Sequence, residues 1–103
     1  GRDTLLRQIE INENDRVLEI GCGTGRNLLK LSRLYPQVWL YGLDASREML
    51  KTASAKMDAN DLVKRVILRE GLAEQLDAQK TFGLDESFDS IFFSYTLLMI
   101  PDW

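Results

Sequence analysis

The residues best placed to do chemistry are three glycines and two carboxylates. Gly21, Gly23 and Gly25 alternate with Cys22 and Thr24 directly after the apolar run Val17-Leu18-Glu19-Ile20. Glycine tolerates positive φ and lets a ligand come close to the main chain. Where a strand passes through such a turn into a helix, α/β sheets hold nucleotide-like molecules. Asp44 follows 23 residues after Gly21, at the end of a second apolar run. A carboxylate there can accept hydrogen bonds from the two hydroxyls of a ribose. Its plainer reading is an Asx turn or a charge at a helix entry. Glu19 reads either as a polar ligand group or as a partly buried carboxylate that orders the turn. Cys22 reads as a small side chain in a tight turn rather than a nucleophile.

These residues need elements to carry them. Arg16 to Ile20 reads as the first strand. A helix is expected from about Gly25 to Tyr35, with Leu28, Leu31 and Tyr35 on its apolar face, widened by Leu29 and Leu34, and Pro36 ending it. Arg26 and Asn27 at its start read as solvated caps, with a place near the bound ligand as their other reading. Val38 to Leu43 is a second strand, and Ser46 caps a helix that carries Met49, Leu50, Ala53 and Met57 and closes at Asn60-Asp61. Val63 to Arg69 is a third strand ending at Gly71. Leu72 to Lys80 is a short helix, Thr81 to Ser87 a loop, and Phe88 to Ser94 a fourth strand. Leu5, Leu6 and Ile9 suggest an amphipathic helix before the first strand. Strands alternating with helices imply a parallel, doubly wound sheet with right-handed crossovers.

Composition narrows the classes. The chain has 103 residues, 28% charged and 45% apolar, with net charge −3, an ordinary balance for one globular domain. The basic residues form no stripe, so nucleic acid is not an expected partner. No run is long and apolar enough for a transmembrane helix. The chain contains no histidine, which excludes an imidazole base, a histidine triad and histidine metal ligands. No metal is expected. With the single cysteine Cys22 no internal disulfide forms, and a cytoplasmic location is the expectation.

The dinucleotide fingerprint G-x-G-x-x-G would place its third glycine at position 26, which is Arg26. The actual spacing, in VLEIGCGTG, resembles motif I of class I S-adenosylmethionine-dependent methyltransferases. Tyr41-Gly42-Leu43-Asp44-Ala45-Ser46 with Met49-Leu50 resembles the acidic strand end and helix that follow in that family. The resemblance runs over essentially the whole chain. It implies a Rossmann-like sheet with strand order 3-2-1-4, later strands missing, so that residues 1–103 are expected to be the truncated cofactor-binding portion of a methyltransferase domain. It implies that Gly21, Cys22, Gly23 and Gly25 bring backbone against the methionine half of S-adenosylmethionine, with S-adenosylhomocysteine as product. Glu19 would help hold the cofactor's amino group, Asp44 the ribose, and Ala45 and Met49 would wall the adenine. Many members carry Gly-Asp-Ala-Glu after the third strand. Here Leu72 stands at the aspartate position in Gly71-Leu72-Ala73-Glu74, so only the Ala73 N–H is left to meet the ring.

The resemblance implies that the end of the fourth strand faces the substrate, which makes Ser94 and Tyr95 the local candidates; their plainer reading is as helix-start and packing residues. No residue is assigned a catalytic role. The string FSYTLLMIPDW with Arg2-Asp3-Thr4 is similar to the N-methyltransferases of betaine-lipid synthesis, which implies a small-molecule or lipid head-group amine as acceptor and peripheral membrane contact. Strand four would be an exposed edge, favouring self-association. Two other functions fit less of the sequence. One is a non-catalytic cofactor-binding or assembly module, the other an NAD-dependent oxidoreductase domain.

Overall fold

The computed structural model describes residues 11–84 and 87–94. The expected helix through Leu5, Leu6 and Ile9 lies essentially outside them, and so does Tyr95. The elements are β1 (Arg16–Ile20), α1 (Arg26–Leu34), β2 (Trp39–Asp44), α2 (Arg47–Ala59), β3 (Val66–Glu70), a single 3-10 turn (Ala73–Gln75), α3 (Ala78–Phe82) and β4 (Ser90–Phe93). All neighbouring strands pair parallel, in the order β3-β2-β1-β4. This is the expected Rossmann-like arrangement. The chain runs outward from β1 to β3 and then returns to the other side of β1. The β1–β4 junction is therefore the switch point at which such sheets open a crevice.

Strand alternation sorts the core into two faces. Val17, Leu40, Val66 and Phe92 point to one face, covered by Leu28 and Leu31 of α1 and Met57 of α2. Leu18, Tyr41 and Leu43 point to the other, where Phe82 of α3, Leu84 and Phe88 pack on them. There the rings of Tyr41, Phe82 and Phe88 meet pairwise edge to face, with centroids 5.2–5.5 Å apart. Such pairs contribute about 0.5–1.5 kcal/mol each beyond their burial. β4 is fastened to β1 at its start by a reciprocal pair: Arg16 N–H donates to Asp89 Oδ2 at 2.8 Å and Asp89 N–H donates to the Arg16 carbonyl at 2.9 Å.

Three expectations change. Leu72 to Lys80 is not one helix. The Asp77 carboxylate accepts from the N–H groups of Gln79 and Lys80, both at 3.0 Å. It caps a new helix that runs to Phe82, leaving the 3-10 turn separate. β3 starts at Val66 rather than Val63, because Asp61 takes positive φ and the N–H groups of Arg65 and Val66 fold back to the Leu62 carbonyl. Leu34 lies on the solvent side of α1, and Asn27 and Ser32 occupy its buried side beside Leu28 and Leu31.

Candidate cofactor site

The glycine turn is built by β2 as much as by its own residues. The N–H groups of Gly21 and Cys22 both donate to the Leu43 carbonyl, at 2.7 and 3.1 Å. Gly23 N–H donates to Asp44 Oδ2 at 2.8 Å, and Gly25 N–H to the Cys22 carbonyl at 3.0 Å. Four main-chain donors of the turn are thus already engaged within the protein. A phosphate cradle works by presenting such donors to an anion. This turn presents mainly Cα surface and carbonyl oxygen, a lining suited to a ligand that is neutral or cationic where it touches the turn.

The three glycines are there for different reasons. All three have positive φ, at 77°, 56° and 82°. At Gly25 a Cβ would stand 2.8 Å from Met57 Cε and 3.2 Å from Ala53 Cβ, so that glycine admits α1 against α2. At Gly23 a Cβ would meet nothing within 4 Å. Gly42, within β2, was not singled out by the sequence reading. A Cβ there would fall within 2.7–2.8 Å of Leu68, Cys22 and Leu28 side-chain atoms, so Gly42 makes the room into which Cys22 turns.

Asp44 realises its plainer reading. Oδ1 accepts from Ser46 N–H at 2.8 Å, an Asx turn that leads into α2, where Ser46 Oγ accepts from Met49 N–H at 3.2 Å. With Oδ2 on Gly23, the carboxylate links the first βα turn to the second. Each oxygen has a second lone pair, so the same side chain retains acceptor capacity for a pair of hydroxyls.

Beside it an open cleft of about 240 Å³ is lined by Ile20, Gly21, Leu43, Asp44, Ala45, Gly71, Leu72 and Ala73. It collects five of the residues expected from sequence: Gly21, Asp44, Ala45, Leu72 and Ala73. Ile20, Leu43 and Gly71 join them simply because they sit at the same strand ends. Leu72 is 43% exposed and offers the cleft an apolar side chain. Met49 does not line the cleft and is nearly half exposed. Ser94 stands at the end of β4, its Cβ 3.7 Å from the position a Cβ on Gly21 would take.

Glu19 lies on the opposite face of β1 from Ile20, with no exposed surface. Asn27 Nδ2 donates to its Oε2 at 2.9 Å. Oε1 has no hydrogen-bond partner among the described residues. Burial pushes the carboxyl up to about 7; the Asn27 bond and then the Ser94 hydroxyl oppose the rise, and the Asp44 charge adds to it. The Ser94 hydroxyl is near enough to favour the charged form, yet it makes no well-formed hydrogen bond to Oε1. The Cys22 thiol is pushed up to about 12, chiefly by burial and further by the Glu19 and Asp44 charges. It is a thiol at neutral pH, as its bland reading requires. Asn27 is buried beside Glu19 instead of capping the helix in solvent, which is the second of its two readings. Its signal was its spacing: Asn27 and Leu31 are four apart, so they share the inward side of α1.

A cleft at the carboxyl ends of β1, β2 and β3, a donor-poor glycine turn, a carboxylate at the second strand end and a buried acceptor without a partner among the described residues form one constellation. Residues 17–103 match the family model described as a methyltransferase domain. The chain belongs to that family. The demethylmenaquinone methyltransferase of Geobacillus kaustophilus is 32% identical over 103 residues, covering 99% of this chain and 42% of that protein. The trans-aconitate 2-methyltransferase of Deinococcus radiodurans is 36% identical over 87 residues, covering 84% of this chain and 29% of that protein. A solved structure, PKMT2 from Rickettsia typhi in complex with AdoHcy, superposes with a TM-score of 0.66 at 27% identity, over 82% of this chain and 15% of that one. This methyltransferase-domain chain therefore spans less than half the length of these curated relatives. No helix among the described residues is long and apolar enough to cross a membrane.

Proposed function

We propose that this chain is the S-adenosylmethionine-binding part of a methyltransferase that acts on a small molecule. The observation that carries the reading is the glycine turn held by β2, with the Glu19 acceptor orphaned beneath it and the Asp44 cleft beside it. The residues fit the cofactor. The turn supplies close approach without an anion nest. Glu19 Oε1 is an unsatisfied acceptor for an ammonium group. Asp44 has lone pairs left for ribose hydroxyls, and Ala45, Leu72 and Ala73 give the cleft an apolar wall for a flat ring. The bound sulfonium supplies an activated methyl group. The protein's task is then to align an unprotonated nucleophile with it, which needs no histidine and no covalent intermediate. Ser94, directly after β4, and Tyr95, next to it in sequence, are the residues we assign to the substrate side.

An amine, carried on a small molecule or a lipid head group, is the acceptor we infer. Support for the betaine-lipid branch is confined to the string FSYTLLMIPDW with Arg2-Asp3-Thr4, and peripheral membrane contact follows from that reading, while the single cysteine supports a cytoplasmic location. Self-association through β4 is supported by Ile91 and Phe93, which are nearly half exposed on it.

Calorimetric titration of the full-length protein with S-adenosylhomocysteine tests the reading. Binding is expected for the native protein and a loss of at least about tenfold for Asp44→Asn, the size of one lost hydrogen bond to a charged group. Binding of NADH in place of S-adenosylhomocysteine would assign the turn to a dinucleotide instead. Binding without methyl transfer to any member of an amine panel would make the protein a cofactor-binding module.

A further inference from the structure

The Glu19–Asn27 pair leads further, on the basis of the cofactor reading above. A buried carboxylate is tolerated when it is paired with a cation, hydrogen-bonded on both oxygens, or protonated. Glu19 meets none of the first two conditions in full. Among the described residues, the groups that face it are Asn27 from α1, Ser94 just after β4, the Cys22 thiol from the turn and Asp44 from the end of β2. None of them is a cation, and Asp44 is a second acid. Asn27, itself buried, satisfies Oε2 and leaves Oε1 without a partner among the described residues.

We propose that Asn27 is a positioning residue that fixes Glu19 with Oε1 open to the cofactor's ammonium group, and that cofactor loading therefore exchanges the Glu19 carboxyl proton for that ammonium. The balance is simple. The neutral carboxyl releases H⁺ to solvent, and the carboxylate formed pairs with the R–NH3⁺ that arrives. No bond other than O–H is broken. The proton is available because burial raises the carboxyl to about 7, so the empty site holds it below that pH and in about half of the molecules at neutral pH. Asn27 lowers the cost of releasing it, since its amide donates to the charged form more strongly than to the neutral one. A cap residue in solvent would do neither.

The test is calorimetry with S-adenosylhomocysteine between about pH 5.5 and 8.5, in two buffers of different ionisation enthalpy. For the native protein, affinity should climb about tenfold per pH unit on the acid side and level off above about 7, with a buffer-dependent heat that reports proton release. Glu19→Gln should bind with a flat profile and release no proton. In Asn27→Ala the carboxyl holds its proton more tightly. Affinity near neutral pH should then fall about tenfold while the alkaline end stays close to native. A loss in Asn27→Ala that is equal at every pH overturns the positioning role, because a merely structural residue would act that way. A native protein that binds without releasing a proton overturns the exchange. If Asn27→Ala does not fold, the side-chain amide resonance of Asn27 in the native protein decides: it should titrate with Glu19, and a flat response overturns the proposal. A native protein that binds no S-adenosylhomocysteine at any pH instead removes the cofactor reading, and the exchange with it.

Discussion

Replacing Glu19 with glutamine should make the protein more stable by an amount that grows as pH rises from about 4.5 to about 7. The native group titrates at about 7 in the fold against an ordinary value of 4.5. Between those values the folded state holds a proton that the unfolded state has lost. Stability from this group is therefore fully present below about 4.5 and declines as pH rises to about 7. Each pH unit of that gap corresponds to about 1.4 kcal/mol, so the whole window is worth about 3 kcal/mol. Above 7 the loss is complete and the curve flattens.

Glutamine keeps the carbonyl oxygen that Asn27 needs and never ionises. Urea unfolding of both proteins at about pH 4.5, 5.5, 6.5 and 8 measures the effect, with the difference between them isolating this one group. The stability difference, Glu19→Gln minus native, should grow by about 3 kcal/mol across the window and stay constant beyond it. A difference independent of pH would show that Glu19 is charged and satisfied in the empty site, and the reasoning about its orphaned oxygen would fail. A difference that shrinks with pH would mean the carboxylate has a cationic partner in the fold.

The glycines give two further outcomes. Gly23→Ala adds a Cβ into open space, so its stability cost is the backbone term alone, about 1–2 kcal/mol, while S-adenosylhomocysteine affinity should fall by tenfold or more. Gly25→Ala adds the same backbone term plus contacts at 2.8 and 3.2 Å with α2, an overpacking cost of about 1–3 kcal/mol more. Thermal unfolding and calorimetry on the two variants check the split; equal stability losses would contradict it. Gly42→Ala should destabilise by about 1–3 kcal/mol through crowding of Leu28, Leu68 and Cys22, and Cys22→Ala in the same chain should recover part of that loss, read by denaturant midpoint.

Much of the site was legible because its geometry follows from main-chain rules. Glycines at 21, 23 and 25, a carboxylate at 44 and the parallel βα alternation were enough to place the turn, the Asp44 strand end and the cleft between Leu72 and Gly21. What escaped depends on contacts between elements distant in sequence. Gly42 looks like any strand glycine until Leu28, Leu68 and Cys22 converge on it. Asp77 reads as one more polar residue in a helix until its carboxylate accepts Gln79 and Lys80 and starts the helix over.

Asn27 and Asp44 show the same limit in opposite directions. Asn27 has the type and position of a solvated cap, yet helical spacing points it at Glu19, eight residues earlier in the chain. Asp44 carried two readings, a ribose acceptor and an Asx turn, and its oxygens already hold Gly23 and Ser46 in place. The two carboxylates therefore divide the work. Asp44 is satisfied by main-chain donors in the empty protein and shapes the turn whether or not anything is bound. Glu19 is left one partner short. Of the two, only the unsatisfied one changes its bonding when a cation arrives, so it is at Glu19 rather than Asp44 that occupancy of the site should be felt by the fold.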